Sequence, residues 1–138
     1  MRRFFLVRSA KFPVLDDESE ELVNEGTYGK ALALYLQSAL RDRGYDTPFV
    51  CCEDWGWWVE LKLPQKAIGV CCYRLSPEAG ISDFVCSPSP ESPRMWSWRR
   101  FRFVDLSDQI AALRQDLTSI LESDPDVEFV GEYDEFPL

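Results

Sequence analysis

The strongest constraint on the fold of this chain is a strict alternation of apolar and polar residues near its centre. Trp57, Val59, Leu61 and Leu63 fall on one face of an extended strand, and Trp58, Glu60 and Lys62 fall on the other. The turn signal Pro64-Gln65-Lys66 then leads into Ala67–Leu75, which is rich in valine, isoleucine, cysteine and tyrosine. This pattern predicts a β-hairpin with one buried face.

Other segments with strand-like composition extend this hairpin into a larger sheet. We expect them at Arg3–Arg8, Thr47–Glu53, Ile81–Cys86, Met95–Phe103 and, as a last short edge strand, Val127–Val130. Met95–Phe103 alternates as one strand, so one face carries Trp96, Trp98, Arg100 and Arg102, and the other carries Ser97, Arg99, Phe101 and Phe103.

Two segments with helical periodicity are available to cover such a sheet. The first begins at the predicted N-cap Thr27, ends at Gly44, and has an apolar stripe of Leu32, Leu36, Ala39 and Leu40. The second begins at Asp105 or Ser107, ends near Glu122, and has a stripe of Ile110, Leu113, Leu117, Ile120 and Leu121. The sequence therefore predicts an α+β fold, with an antiparallel sheet of five to six strands and both amphipathic helices on one face.

The length of 138 residues fits one domain covering 1–138. An acidic loop is expected at 13–26, and an acidic C-terminal tail at 131–138. A Pro-rich loop is expected at 87–93, because three prolines in so short a span disfavour both helix and central strand. With 46% apolar residues, a chain of this size can form an ordinary core without disulfide or metal crosslinks.

The composition excludes several classes of catalytic site. There is no histidine, so Ser-His and Cys-His nucleophile systems are impossible. No glycine-rich phosphate loop or C-x-x-C spacing is present, and the five cysteines are interpreted as small hydrophobic residues. We expect no catalytic residue, no metal site and no cofactor. Abundant carboxylates leave the question of an enzyme open, although the pattern argues against one.

The charge indicates what kind of partner the protein has. A net charge of −9 disfavours general binding to nucleic acids and to anionic membranes. No segment approaches the length of an apolar membrane span, and a cytoplasmic location is expected. We therefore expect another protein as the partner, no nucleic acid and no membrane, with a homodimer as an alternative.

The first candidate site is the tryptophan-rich stretch 53–58. Its functional interpretation is an aromatic pocket wall formed by Trp55 and Trp57, with Asp54 and Glu53 as polar anchors. Its structural interpretation is a tight turn at Gly56 with the indoles closing one end of the core.

The second candidate site follows the Pro-rich loop and combines Trp96 and Trp98 with Arg99 and Arg100. Tryptophan, methionine and arginine are enriched in protein interfaces, which favours a contact surface. The structural interpretation is an edge strand whose arginines discourage pairing with other chains.

One pattern in the second quarter of the chain consists of GKALALYLQSALRDRGYD at 29–46 and EDWGW at 53–57. It resembles a pattern found in small bacterial proteins of unknown function. The resemblance implies a bacterial source and no activity, so no functional residue is transferred from it.

Three functions follow as hypotheses. The first is a non-catalytic protein-binding module, in the form of an inhibitor or immunity-type protein acting on a partner protein. The second is an acidic nucleic-acid mimic or regulator that uses the acids after Val104 in place of phosphates. The third is a small-molecule binder with a Trp-lined pocket around Trp55–Trp58.

Overall fold

The chain folds around a six-stranded sheet in which all neighbouring strands are antiparallel. The computed structural model describes residues 4–64, 66–75, 80–89, 94–98 and 101–137. The elements in chain order are β1 (Phe4–Ser9), α1 (Glu18–Glu21), α2 (Lys30–Asp42), β2 (Val50–Cys52), β3 (Trp57–Lys62), β4 (Ala67–Arg74), β5 (Ser82–Ser89), β6 (Arg94–Ser97), β7 (Arg102–Asp105), α3 (Ser107–Ser123) and β8 (Glu128–Tyr133). The strand order in the sheet is β2-β3-β4-β5-β1-β8, and β6 and β7 form a separate two-stranded hairpin.

Both long helices cover the same face of the sheet, which confirms the predicted α+β architecture. The apolar stripes of α2 and α3 join the inward-facing residues of the strands in one core cluster. The inward-facing strand residues are Phe5, Val7, Trp57, Val59, Leu61, Ile68, Val70, Cys72, Phe84 and Cys86. Within the described part of the chain, no helix is long and apolar enough to cross a membrane.

The start of α2 differs from the prediction. Thr27 is not its N-cap, because the helix begins at Lys30 and the Thr27 hydroxyl donates to the Asn24 carbonyl at 2.7 Å. The buried carboxylate of Glu18 instead accepts the backbone N–H groups of Gly29 (2.9 Å) and Lys30 (3.2 Å). A side chain from α1 therefore caps the positive end of α2, which local sequence patterns do not reveal. The predicted acidic loop 13–26 thus contains a helix and one structural acid.

The start of α3 agrees more closely with the prediction. The helix begins at Ser107, and the carboxylate of Asp105 accepts the Ser107 backbone N–H at 2.8 Å. The Ser107 hydroxyl donates to the same carboxylate, and this side-chain hydrogen bond, followed by the backbone one, is the main reason why the pKa of Asp105 lies below its usual value.

Two segments predicted as loop or tail belong partly to strands. β5 continues through Pro88, which lies opposite Val70, so the Pro-rich loop predicted at 87–93 does not begin at Ser87. A proline is tolerated there because it is next to the last residue of the strand, where one lost ladder bond costs little. Residues 90–93 lie outside the described part. The acidic tail predicted at 131–138 likewise begins with strand, because β8 extends to Tyr133.

The segment Met95–Phe103 was predicted as one strand, and this prediction is wrong, because the segment belongs to a hairpin. β6 and β7 pair antiparallel, with Trp96 opposite Phe103 and Met95 opposite Val104. The chain reverses between Trp98 and Phe101, and Phe101 adopts a positive φ of 51°, a conformation typical of turns. The reversal brings Phe101 and Phe103 to the side of Trp96, whereas a single strand would have placed them on the opposite side.

Candidate binding surfaces

The five tryptophans occupy three different environments. Trp57 is 1% exposed in the core, where its indole Nε1 donates to the Thr27 carbonyl at 3.0 Å. Trp55 and Trp58 lie on the face of the sheet that the helices leave open. Trp96 and Trp98 belong to the β6–β7 hairpin. The structure therefore separates Trp55 from Trp57, which the sequence had grouped in one site.

The aromatic hairpin, defined as Trp96, Trp98, Phe101 and Phe103, is the most exposed apolar surface among the described residues. Exposure reaches 76% for Trp98, 73% for Phe101 and 55% for Phe103. The ring of Trp96 lies between the other three, with centroid distances of 5.7, 5.3 and 5.3 Å. A packed aromatic cluster that remains in water is a feature of contact surfaces, because large apolar groups are costly to leave solvated.

Contacts on the opposite side hold this hairpin against the domain. Val104 is buried in the core cluster, and Ser97 is buried at 1% exposure. Lys66 Nζ donates to the Trp96 carbonyl at 3.1 Å. On the aromatic side, the guanidinium of Arg94 lies 4.9 Å from the ring centroid of Phe103, at the distance of a cation–π contact. The hairpin therefore presents its rings outward from a fixed base.

Arg99 and Arg100, also predicted as site residues, lie outside the described residues. In the sequence they stand between Trp98 and Phe101. The segment from Arg94 to Val104 carries four arginines and no acid, although the whole chain has a net charge of −9. The aromatic hairpin thus belongs to a basic segment of an acidic molecule.

A second surface, the outer depression, lies on the face of the sheet opposite the helices. It is an open concavity of about 390 Å³ lined by Glu53, Trp55, Trp58, Cys71, Tyr73 and Ser89. A larger concavity of about 610 Å³, between α3 and β8, is lined mostly by polar and charged side chains, including Arg114 and Glu132. The outer depression is therefore the concave surface that corresponds to the predicted Trp-lined pocket, although Trp57 is not part of it.

Two glycines make room for the rings of the outer depression. A Cβ atom at Gly69 would lie 2.4 Å from Trp58 Cζ2, and one at Gly56 would lie 2.6 Å from the Cys72 carbonyl oxygen and 3.2 Å from the Tyr73 ring. The indole of Trp58 is also oriented by its Nε1, which donates to Glu60 at 2.8 Å. The rings of Trp58 and Tyr73 therefore occupy space that a side chain at either glycine would block.

The aromatic contacts continue along the outer face. Trp58, Trp55, Tyr73, Phe136 and Phe4 follow one another at centroid distances of 6.5, 5.4, 5.0 and 5.6 Å. The end of the chain therefore does not extend freely as an acidic tail, because Phe136 packs between Tyr73 and Phe4. Asp54, predicted as an anchor, contributes its backbone carbonyl, which accepts Asn24 Nδ2 and ties the turn to the loop before α2.

Three of the five thiols, those of Cys51, Cys72 and Cys86, are poor nucleophiles in this setting. Burial raises the pKa of Cys86 to about 12 and that of Cys72 well above its usual value. Burial, followed by a hydrogen bond to Glu53, raises the pKa of Cys51 to about 11. These thiols stay protonated at neutral pH, which suits packing rather than covalent catalysis. Within the described residues, no group of three or more cysteines and carboxylates is arranged to hold a metal ion.

Many acids after Val104 have internal partners. The carboxylate of Asp116 accepts hydrogen bonds from Tyr45 and Arg43. That of Asp124 accepts hydrogen bonds from Lys11 and Tyr35, and that of Glu128 accepts one from Arg8. Carboxylates that hold helices and strands together are less available to imitate a row of phosphates, so the structure lends little support to the nucleic-acid mimic.

No protein-family model matches the sequence, and no match was found among curated proteins or solved structures. The resemblance to small bacterial proteins therefore stays a prediction, and the functional argument depends on the surfaces themselves.

Sequence reasoning missed Phe101 and Phe103 in the hairpin and Tyr73 in the outer depression. For the hairpin a signal was present, since Trp96-Ser-Trp98-Arg-Arg-Phe101-Arg-Phe103 alternates aromatic residues on both sides of the central arginines. Such symmetry is typical of two paired arms with a turn between them. For Tyr73 no signal was available, because its proximity to Trp55 depends on how the turn after β2 folds over β4.

Proposed function

We propose that the protein is a non-catalytic protein-binding module that uses the aromatic hairpin as its contact surface. The single observation that supports this function is the exposure of Trp98, Phe101 and Phe103 in one packed cluster. Rigid aromatic side chains lose little conformational freedom on binding, and they are enriched among residues that dominate interface energies. A role as an inhibitor or immunity-type protein is the form of this function that the small size and the acidic charge favour.

The positive charge of the segment that contains the aromatic hairpin indicates which chemical groups the partner's surface carries. The four arginines from Arg94 to Arg102 favour a partner surface on which acidic groups surround an apolar patch. A symmetric pairing of two such basic segments would set like charges against each other, which is unfavourable across an interface. The partner is therefore a different protein with an apolar, acidic surface.

A selection experiment tests this function. A library of random displayed peptides is selected on the immobilised wild-type protein and on a Trp98→Ala/Phe101→Ala variant, with Trp55→Ala as the control. We expect the wild type and the control to enrich peptides that combine apolar and acidic residues, and the double variant to lose them. Bound peptides should dissociate more readily as salt is raised.

Two results would overturn the proposal. One is enrichment of the same peptides on the folded double variant, which would assign recognition to another surface. The other is a wild-type dimer in sedimentation equilibrium that the double variant converts to monomer, which would make the hairpin a surface for self-association.

A further inference from the structure

The outer depression combines aromatic rings with a carboxylate in an arrangement that suits a cation. Trp55 and Trp58 meet at 81° with centroids 6.5 Å apart, and Tyr73 is tilted by 48° against Trp55 at 5.4 Å. Three rings in different orientations therefore border one concavity, and Glu53 lies in its lining. The face of an aromatic ring carries negative potential and attracts a cation within about 6 Å of the centroid.

We propose that the outer depression is a binding site for a small solute with a quaternary ammonium group. This site is separate from the aromatic hairpin and does not depend on the function assigned to that surface. Tryptophan is the most effective aromatic partner for a cation, and two of the three rings are indoles.

The aromatic part of the lining favours a methylated cation over a primary ammonium group. A primary ammonium group has three N–H donors that need acceptors. Three of the six lining residues are aromatic, and methyl groups pack against their rings without needing an acceptor. A quaternary ammonium group has no donors, and its methyl groups gain contact with the rings.

Negative charge near the rings strengthens the attraction. Glu60 lies beside the depression as the acceptor of Trp58 Nε1, so it both orients the indole and adds a carboxylate. The net charge of −9 raises the local concentration of cations around the whole molecule. The volume of about 390 Å³ leaves room for a trimethylammonium head with a short tail.

The test compares choline with 3,3-dimethyl-1-butanol, which has nearly the same shape and no charge. Both are titrated into the ¹⁵N-labelled protein while the five indole N–H signals are followed by NMR. We expect choline to shift the Trp55 and Trp58 signals with a dissociation constant on the order of 1 mM. The neutral analogue should bind at least about tenfold more weakly, because it lacks the charge that the rings and Glu53 attract.

Three variants show which residues are responsible for choline binding. Trp55→Ala should weaken choline binding about tenfold, and Glu53→Gln about fivefold, because each removes one source of attraction. Trp98→Ala removes an exposed tryptophan outside the depression and should leave choline binding unchanged. Thermal unfolding of each variant checks that the fold is intact.

Several results would overturn the proposal. Equal binding of the neutral analogue would make the depression an ordinary apolar surface, and unchanged Trp55 and Trp58 signals would exclude choline from it. Co-sedimentation with phosphatidylcholine vesicles that is lost in Trp55→Ala would assign the headgroup to a lipid rather than to a free solute. None of these results bears on the aromatic hairpin, so the two proposals fail independently.

Discussion

At the scale of single residues, the position of each tryptophan in the sheet or hairpin decides what its indole does. The N–H of Trp57 points into a core in which the Thr27 carbonyl is its acceptor, and that of Trp58 meets Glu60 at the open face. Trp98, by contrast, is 76% exposed. The same side chain therefore contributes to stability at one position and is available for binding at another.

Replacing Trp57 and Trp98 by phenylalanine separates these contributions. Trp57→Phe leaves a small cavity and leaves the Thr27 carbonyl without its donor, so we expect a loss of about 2 kcal/mol in the free energy of unfolding. Trp98→Phe should change it by less than about 0.5 kcal/mol, because the side chain is mostly in water. Urea unfolding measures both, and equal losses would contradict the assignment of Trp57 to the core.

At the scale of elements, α2 depends on a residue outside itself. Glu18 supplies its carboxylate to the first N–H groups of the helix, and its other oxygen accepts the Leu15 N–H at 3.0 Å. A buried carboxylate is tolerated here because backbone donors surround it. The acids near it in sequence, such as Glu20, are exposed.

Removal of this cap should destabilise the protein. We expect Glu18→Ala to lower the free energy of unfolding by about 2 kcal/mol, since buried N–H groups lose their acceptor. Glu20→Ala is the matched control on the same short helix and should have little effect. If the two variants unfold at the same urea concentration, Glu18 is not the cap of α2.

The elements that the sequence predicted correctly have a strong period of their own. The alternation of β3 and the stripes of α2 and α3 were recognisable because a sheet face and a helix face bury side chains at fixed intervals. The prediction of one strand over Met95–Phe103 was wrong because alternation alone does not show where a chain reverses. The cap by Glu18 and the contact between Trp55 and Tyr73 depend on tertiary structure, so no local pattern could predict them.

At the scale of the whole molecule, one carboxylate connects distant parts of the chain. Asp124 lies in the turn after α3, and its carboxylate accepts a hydrogen bond from Lys11 in the segment after β1. The same carboxylate accepts a hydrogen bond from the hydroxyl of Tyr35 in α2 at 2.7 Å. The hydrogen bond from Lys11, followed by that from Tyr35, lowers the pKa of Asp124 to about 2. Burial is the main cause of the raised pKa of Tyr35, and the bond to Asp124 adds to it.

The lowered pKa of Asp124 predicts a specific pH dependence. In the unfolded chain this carboxyl titrates near pH 4, so its stabilising contribution is complete above about pH 5 and disappears as the pH falls toward 2. The difference in unfolding free energy between the wild type and Asp124→Asn should shrink over that range. A difference that stays constant from pH 6 to about pH 2.5 would show that the charge of Asp124 does not contribute.

The central claim is that the aromatic hairpin is the contact surface of this protein. The most direct test is a ¹⁹F NMR spectrum of the protein labelled with 5-fluorotryptophan, recorded before and after a peptide selected on the wild type is added. We predict that the Trp96 and Trp98 resonances shift, while those of Trp55, Trp57 and Trp58 do not. Shifts at Trp55 or Trp58 with none at Trp98 would contradict the claim and place the contact on the open face of the sheet.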